Sequence, residues 1–153
     1  MEDKNINIRV ANKDDFPELY KIGESTKEFR VSASQNFMDE DEFMAVITKP
    51  TSVFLIAEEN GRIVGFIYVS SDDKDSPLKK HWACLVYLVV LPEMRGKMVA
   101  TKLYEESIIK LKELGVTNLY GWANAEGDGA ILSFMKKHGF EEGHSYKWMD
   151  KAI

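Results

Sequence analysis

The chain has 153 residues, 44% hydrophobic and 29% charged, the balance of one ordinary globular domain over 1–153; its net charge of −5 opposes charge-driven nucleic-acid binding. The longest apolar run, Ala83 to Leu91, is far below the roughly 20 residues that cross a bilayer, and the opening MEDKNINIRV has no apolar signal core. The single Cys84 excludes an internal disulfide and most cysteine-based metal sites, so a reducing cytoplasm is the expected compartment.

Ile6 to Val10 alternates in polarity and predicts a first strand. Asp14 or Asp15 offers an N-cap to an amphipathic helix carrying Phe16, Leu19, Tyr20 and Ile22. Asp39 with Glu42 three residues on reads as a capping box, opening a second helix with Phe43, Val46 and Ile47 inside and Pro50 at its end. Val53 to Ala57 and Ile63 to Val69 are two strands around Glu59-Asn60-Gly61, a tight-turn signal. Ser70 to Lys80 is a polar loop.

Ala83 to Leu91 is a nearly continuous apolar strand, as for one covered on both faces, and Pro92 ends it. A long helix follows with Ala100, Leu103, Tyr104, Ile108 and Leu111 on one stripe and Gly115 as its C-cap. Val116 to Ala123 predicts another strand. Asp128 caps a short helix through Lys137, closed by Gly139, and two last strands include Phe140 to Glu142 and Tyr146 to Met149. The order βααβββαβαββ predicts a mixed α/β sheet with a strand–loop–helix–strand crossover at its centre.

The chemistry concentrates after the central strand, where LVYLVVLP runs into EMRGKMVATKLYEESI. A pyrophosphate needs several backbone N–H groups pointing into one concavity, with a helix N-terminus behind them. Arg95 and Lys97 add charge, Gly96 lets the backbone turn, and Thr101 supplies a hydroxyl.

This segment resembles the acetyl-CoA motif of the GNAT family, whose pattern is Q/R-x-x-G-x-G/A. Here it reads Arg95-Gly96-Lys97-Met98-Val99-Ala100, with Met98 in place of the central glycine. Ile8 to Ala11 with Asp14-Asp15 is similar to the family's opening strand and helix, and Phe54 to Val69 to its hairpin. Trp122-Ala123-Asn124, then Phe134 to Phe140, is similar to its closing element. The resemblance implies a mostly antiparallel sheet with a central parallel pair, Tyr87–Leu91 and Leu119–Ala123, splayed around acetyl-CoA.

It further implies that main-chain groups of Leu88, Val89 and Val90 meet the pantetheine and that Arg95 to Thr101, including Val99 and Ala100, cradle the pyrophosphate. Asn124, Ser133 and Phe134 border the cofactor's other side. The implied partners are acetyl-CoA and an amine; no nucleic acid, membrane or metal is expected, and a homodimer is allowed without any sequence feature requiring it.

Amine acetylation also needs a proton for the departing thiolate. The family often takes it from a tyrosine five residues before the phenylalanine of the closing Gly-Phe; that position is Met135. Other members carry a glutamate base eleven residues before the first motif residue; that position is Cys84. A thioether donates no proton, and a thiol with a pKa of about 8.5 matches a glutamate base poorly. Tyr87, Cys84 and Tyr146 stand as substitutes. Cys84 has a plainer role as a small buried hydrophobe, and Tyr87 as a core or hydrogen-bonding ring turned away by strand alternation; Tyr146 lies in the closing hairpin, which approaches the site. His81, His138 and His144 are spaced too irregularly for a metal site, and the acidic run Asp39 to Glu42 suits a helix N-terminus without further duty.

Two classes of function follow. One is an enzyme moving acetyl from acetyl-CoA to a primary amine of a small molecule or peptide. The other is a non-catalytic acyl-CoA-binding or sensing module of the same fold.

Overall fold

The structure, a computed structural model, describes residues 5–72, 81–124 and 128–153. Its elements are β1 Ile6–Val10, α1 Phe16–Ser25, α2 Glu40–Thr48, β2 Ser52–Glu59, β3 Arg62–Ser70, β4 Trp82–Val90, α3 Val99–Glu113, β5 Asn118–Gly121 and α4 Ala130–Lys137. The strands form one sheet in the order β1-β2-β3-β4-β5, antiparallel except for the parallel pair β4–β5. From residue 73 to Lys80 the expected polar loop lies outside the described residues.

Period-two alternation on β2 feeds two cores. Val53, Leu55 and Ala57 pack with Leu103 and Leu111 of α3 on one face. Phe54 and Ile56 pack with Leu19 of α1 and Phe43 and Ile47 of α2 on the other. Both faces are therefore covered, which explains why the central strands read as nearly unbroken apolar runs. The β2–β3 turn has Asn60 at φ 52° and Gly61 at φ 77°, the paired positive values of a tight hairpin. Beyond α3, Gly115 turns at φ 79° and the Val116 amide donates to the Leu111 carbonyl, closing the helix as expected.

Three local expectations are corrected. Asp39 stands at the N-cap of α2 but makes no side-chain cap bond. The capping box sits earlier, where Asn12 and Asp15 close the 3-10 turn Lys13–Asp15. Asp15 is drawn there because Arg9 grips both of its oxygens at 2.8 Å while also meeting Glu58 at 2.6 Å. That guanidinium holds the Asp15 carboxyl below the usual carboxylate range. Second, the strand expected over Val116 to Ala123 is only Asn118–Gly121. Third, neither closing strand forms: residues 140–153 are irregular. Alternating apolar residues give strand propensity, but a strand also needs an edge to pair with, and this segment engages none.

Candidate functional site

The site is built on a change of neighbour along β4. Trp82 to Leu85 pair with Asn118 to Gly121 of β5, and there the pairing stops. Past the unpaired Val86, Tyr87 to Val90 keep β3 on one side and carry no strand on the other among the described residues. The fork opens at a close approach of the parallel strands: a Cβ added to Gly121 would lie 3.0 Å from the Leu85 carbonyl oxygen.

At the fork the β3–β4 register jumps from Tyr68↔Tyr87 to Val69↔Leu85, so Val86 is a bulge. A bulge places two successive residues on one side of the strand. Val86 and Tyr87 accordingly both pack toward α1 and α2, whereas Ala83, Leu85, Leu88 and Val90 pack toward α3. Without the extra residue, Tyr87 would share the face of Ala83 and Leu85. Its ring lies 4.6 Å from Phe29 and 5.2 Å from Phe37 by centroid. Burial pushes its phenol up to about 12, so it keeps its proton throughout the neutral range.

Past Val90 the chain makes the 3-10 turn Pro92–Met94, then turns twice through the left-handed region, at Gly96 (φ 78°) and Met98 (φ 62°). The second value explains the motif's glycine: the position requires a positive φ, which a side chain adopts at a cost of about 1 kcal/mol. Met98 meets that cost with its side chain in solvent. It is also the N-cap of α3, without a side-chain cap bond and with no acidic residue in the first turn.

As a result the six amides from Gly96 to Thr101 find no acceptor among the described residues; the helical ladder begins only with the Lys102 amide on the Met98 carbonyl. Uncapped amides at the head of a 15-residue helix, flanked by exposed Arg95 and Lys97, form an anion cradle. The residues present thus fit a pyrophosphate.

A groove of about 240 Å³ lies between the last residues of β4 with the start of this loop and the end of α1. One wall is Val89, Val90, Leu91, Pro92 and Arg95; the other is Ile22 with Ser25 to Glu28. The second wall was not anticipated. Its only sequence signal is Ser25-Thr26 after an apolar stripe: both hydroxyls donate to the Ile22 carbonyl and end α1 there.

The remaining expected residues fall into place unevenly. Asn124 donates to the Glu28 carbonyl at 3.3 Å, bridging the end of β5 to the groove's far wall. Ser133 is exposed on α4, and Phe134 packs edge-on against Tyr104 of α3 at 5.8 Å. Cys84, reduced and half-buried, stands opposite Ser70 and Tyr120 in the paired half of β4. Tyr146 is exposed, with its ring against Trp122 and no ring contact with Tyr87. Met135 is buried at the fork, its methyl 3.2 Å from the position of a Cβ on Gly121. His81, at φ 83°, is occupied at the other end of β4, where its carbonyl accepts from Thr117 and Asn118. Among the described residues no cluster of His, Cys, Asp or Glu is arranged to hold a metal, and no helix is long and apolar enough to cross a membrane.

Residues 14–140 match the model of the Acetyltransferase (GNAT) family, and the chain belongs to that family. Over 89 residues it is 33% identical to an uncharacterised N-acetyltransferase of Methanocaldococcus jannaschii; the match takes in 58% of this chain and 39% of that protein, so the chain spans about two fifths of its relative's length. Among solved structures it resembles the PaiA N-acetyltransferase of Thermoplasma acidophilum in complex with coenzyme A, with a TM-score of 0.76, 17% identity and 93% of each chain covered. It also resembles the aminoglycoside N-acetyltransferase AAC(6')-Iy in complex with CoA, with a TM-score of 0.74, 18% identity and coverage of 97% and 96%. At these identities the likeness concerns the fold, and the fold is that of an acetyl-CoA-dependent transferase family with its parallel pair splayed.

Proposed function

We propose that this chain, acting as one unit in the cytoplasm, transfers the acetyl group of acetyl-CoA to a primary amine. The observation that carries the reading is the run of six acceptorless amides, Gly96 to Thr101, placed at the end of an unpaired strand edge. Backbone donors in that loop would hold the pyrophosphate, with Arg95 and Lys97 screening its charge. The open edge from Val86 to Val90 would take the amide-bearing pantetheine much as a strand takes a neighbour. Asn124 and Glu28 would close the groove from the other side.

In the transfer, the amine nitrogen bonds to the thioester carbon, the carbon–sulfur bond breaks, the leaving thiolate takes a proton from a donor, and the proton shed by the nitrogen restores that donor. Tyr87 is the group we assign to that step. The bulge at Val86 turns it to the α1–α2 face beside the opened edge, and its raised pKa keeps the donor protonated. Positioning in the groove supplies the rest. An aminoglycoside amine, as in the AAC(6')-Iy relative, is one acceptor to test, beside polyamines, amino acids and peptides.

A second reading, an acyl-CoA-binding or sensing module without turnover, draws on Met135 and Cys84, which fill the two usual proton-transfer positions with groups unsuited to them. Calorimetric titration with CoA and an acetyl-CoA consumption assay over the amine panel separate the two. The enzyme reading requires both binding and consumption. Binding with no consumption across the panel leaves the sensor, and absence of binding removes both.

A further inference from the structure

Gly23 lies within α1, where a glycine is disfavoured unless a neighbour needs the space of its missing side chain. That neighbour is Phe37. A Cβ at Gly23 would stand 2.2 Å from the Phe37 Cζ atom, so the ring occupies the place of the absent side chain. Phe37 belongs to the segment joining α1 and α2, outside any helix or strand, yet it is only 4% exposed. The chain around it is pinned. Gln35 Nε2 donates to the Phe37 carbonyl at 3.0 Å, and the Tyr20 hydroxyl donates to the Met38 carbonyl at 2.9 Å.

Seated there, Phe37 meets one ring from each element around it. Tyr20 of α1 lies at 5.3 Å by centroid, Phe43 of α2 at 5.1 Å, Phe29 of the 3-10 turn Lys27–Phe29 at 6.0 Å and Tyr87 of β4 at 5.2 Å. Tyr87 follows the Val86 bulge, and no hydrogen bond among the described residues holds its hydroxyl. Its direction is therefore set by ring contacts, with Phe29, Phe37 and Tyr68. Of these three, Phe37 is the one whose ring also meets both α1 and α2.

We propose, on the reading of Tyr87 as the proton donor, that Phe37 is a positioning residue: seated over Gly23, it holds the Tyr87 phenol in place for the transfer. Nearly sealed from solvent, Phe37 acts through Tyr87 and meets neither substrate itself. The groups facing the phenol are Tyr68 of β3, Glu42 of α2 and Tyr20 of α1, and each adds to the effect of burial in raising its pKa. Removing the Phe37 ring reduces the burial, which favours the phenolate and lowers that pKa toward the ordinary value of about 10.

The test is a double-mutant cycle on the full chain, with acetyl-CoA and an amine that it acetylates. Phe37→Leu should lower kcat about tenfold with KM for acetyl-CoA unchanged. In the Tyr87→Phe background it should lower kcat less than about twofold. Gly23→Ala, which drives a methyl group into the Phe37 ring, should reproduce the loss with both aromatic residues intact, and it carries the test where Phe37→Leu does not fold. A further readout needs no turnover. With tyrosine ring carbons labelled, NMR should find Tyr87 nearly untitrated at about pH 11 in the wild-type chain and well into its titration there in Phe37→Leu or Gly23→Ala. Equal losses of kcat in both backgrounds, or a Tyr87 titration that neither variant moves, would overturn the positioning role while leaving the donor assignment standing. Full kcat in Tyr87→Phe would instead remove the donor, and the positioning role with it.

Discussion

The two halves of β4 are built from similar residues and do different work. Trp82 to Leu85 all pair with β5, and Cys84 and Leu85 pair with β3 as well, while Val86 to Val90 have no β5 partner among the described residues. The halves meet at the Val86 bulge and the Gly121 approach, so one added residue and one missing side chain mark where a paired strand gives way to an open edge. Hydrophobicity does not separate them. What separates them is which neighbour continues alongside.

The comparison breaks most visibly in the paired half. Leu85→Ala should cost about 2–5 kcal/mol of stability in urea unfolding, because Leu85 is buried between α3 and the parallel pair. A cost below about 1 kcal/mol would mean the paired half is not core. In the open half the effect should fall on chemistry instead. Tyr87→Phe should lower kcat about 100-fold with CoA affinity unchanged.

The same variant carries a pH signature. The Tyr87 phenol is raised in the folded chain by burial, so its contribution to stability is complete below about 10 and is lost as pH rises toward about 12. Replacing it by Phe should flatten the alkaline fall in melting temperature; an unchanged fall would place the burial elsewhere. Next in size, Arg95→Glu should weaken CoA binding about 30-fold while the melting temperature holds, since Arg95 is exposed and supports no packing. Smallest is Met98→Gly, which relieves the left-handed strain and should raise stability by less than about 1 kcal/mol with CoA binding retained. A loss of CoA binding in that variant would show that the methionine side chain, not the backbone, makes the contact.

The sequence makes the paired half legible and the open half only partly so. Alternation and the Asn60-Gly61 turn identify β2 and β3 because those signals are local. The loop Arg95 to Thr101 is legible because its glycine, charges and following helix occur in order. The Val86 bulge leaves no mark in an all-apolar run, so whether Tyr87 faced α1 and α2 could be known only from register. The Ser25–Glu28 wall is similarly silent, since it lines the groove through tertiary placement rather than through its own motif. Tyr146 to Met149 has strand chemistry without a strand because pairing depends on an edge supplied from elsewhere in space.

The central claim is that CoA binds along the unpaired half of β4 and on the amides that follow it. Amide-resolved NMR of the chain titrated with CoA tests it most directly. The account predicts large shifts at Gly96 to Thr101 and along Val86 to Val90, with Trp82 to Leu85 nearly still. Shifts concentrated at Trp82 to Leu85, or a loop from Gly96 to Thr101 that does not respond to saturating CoA, would contradict it.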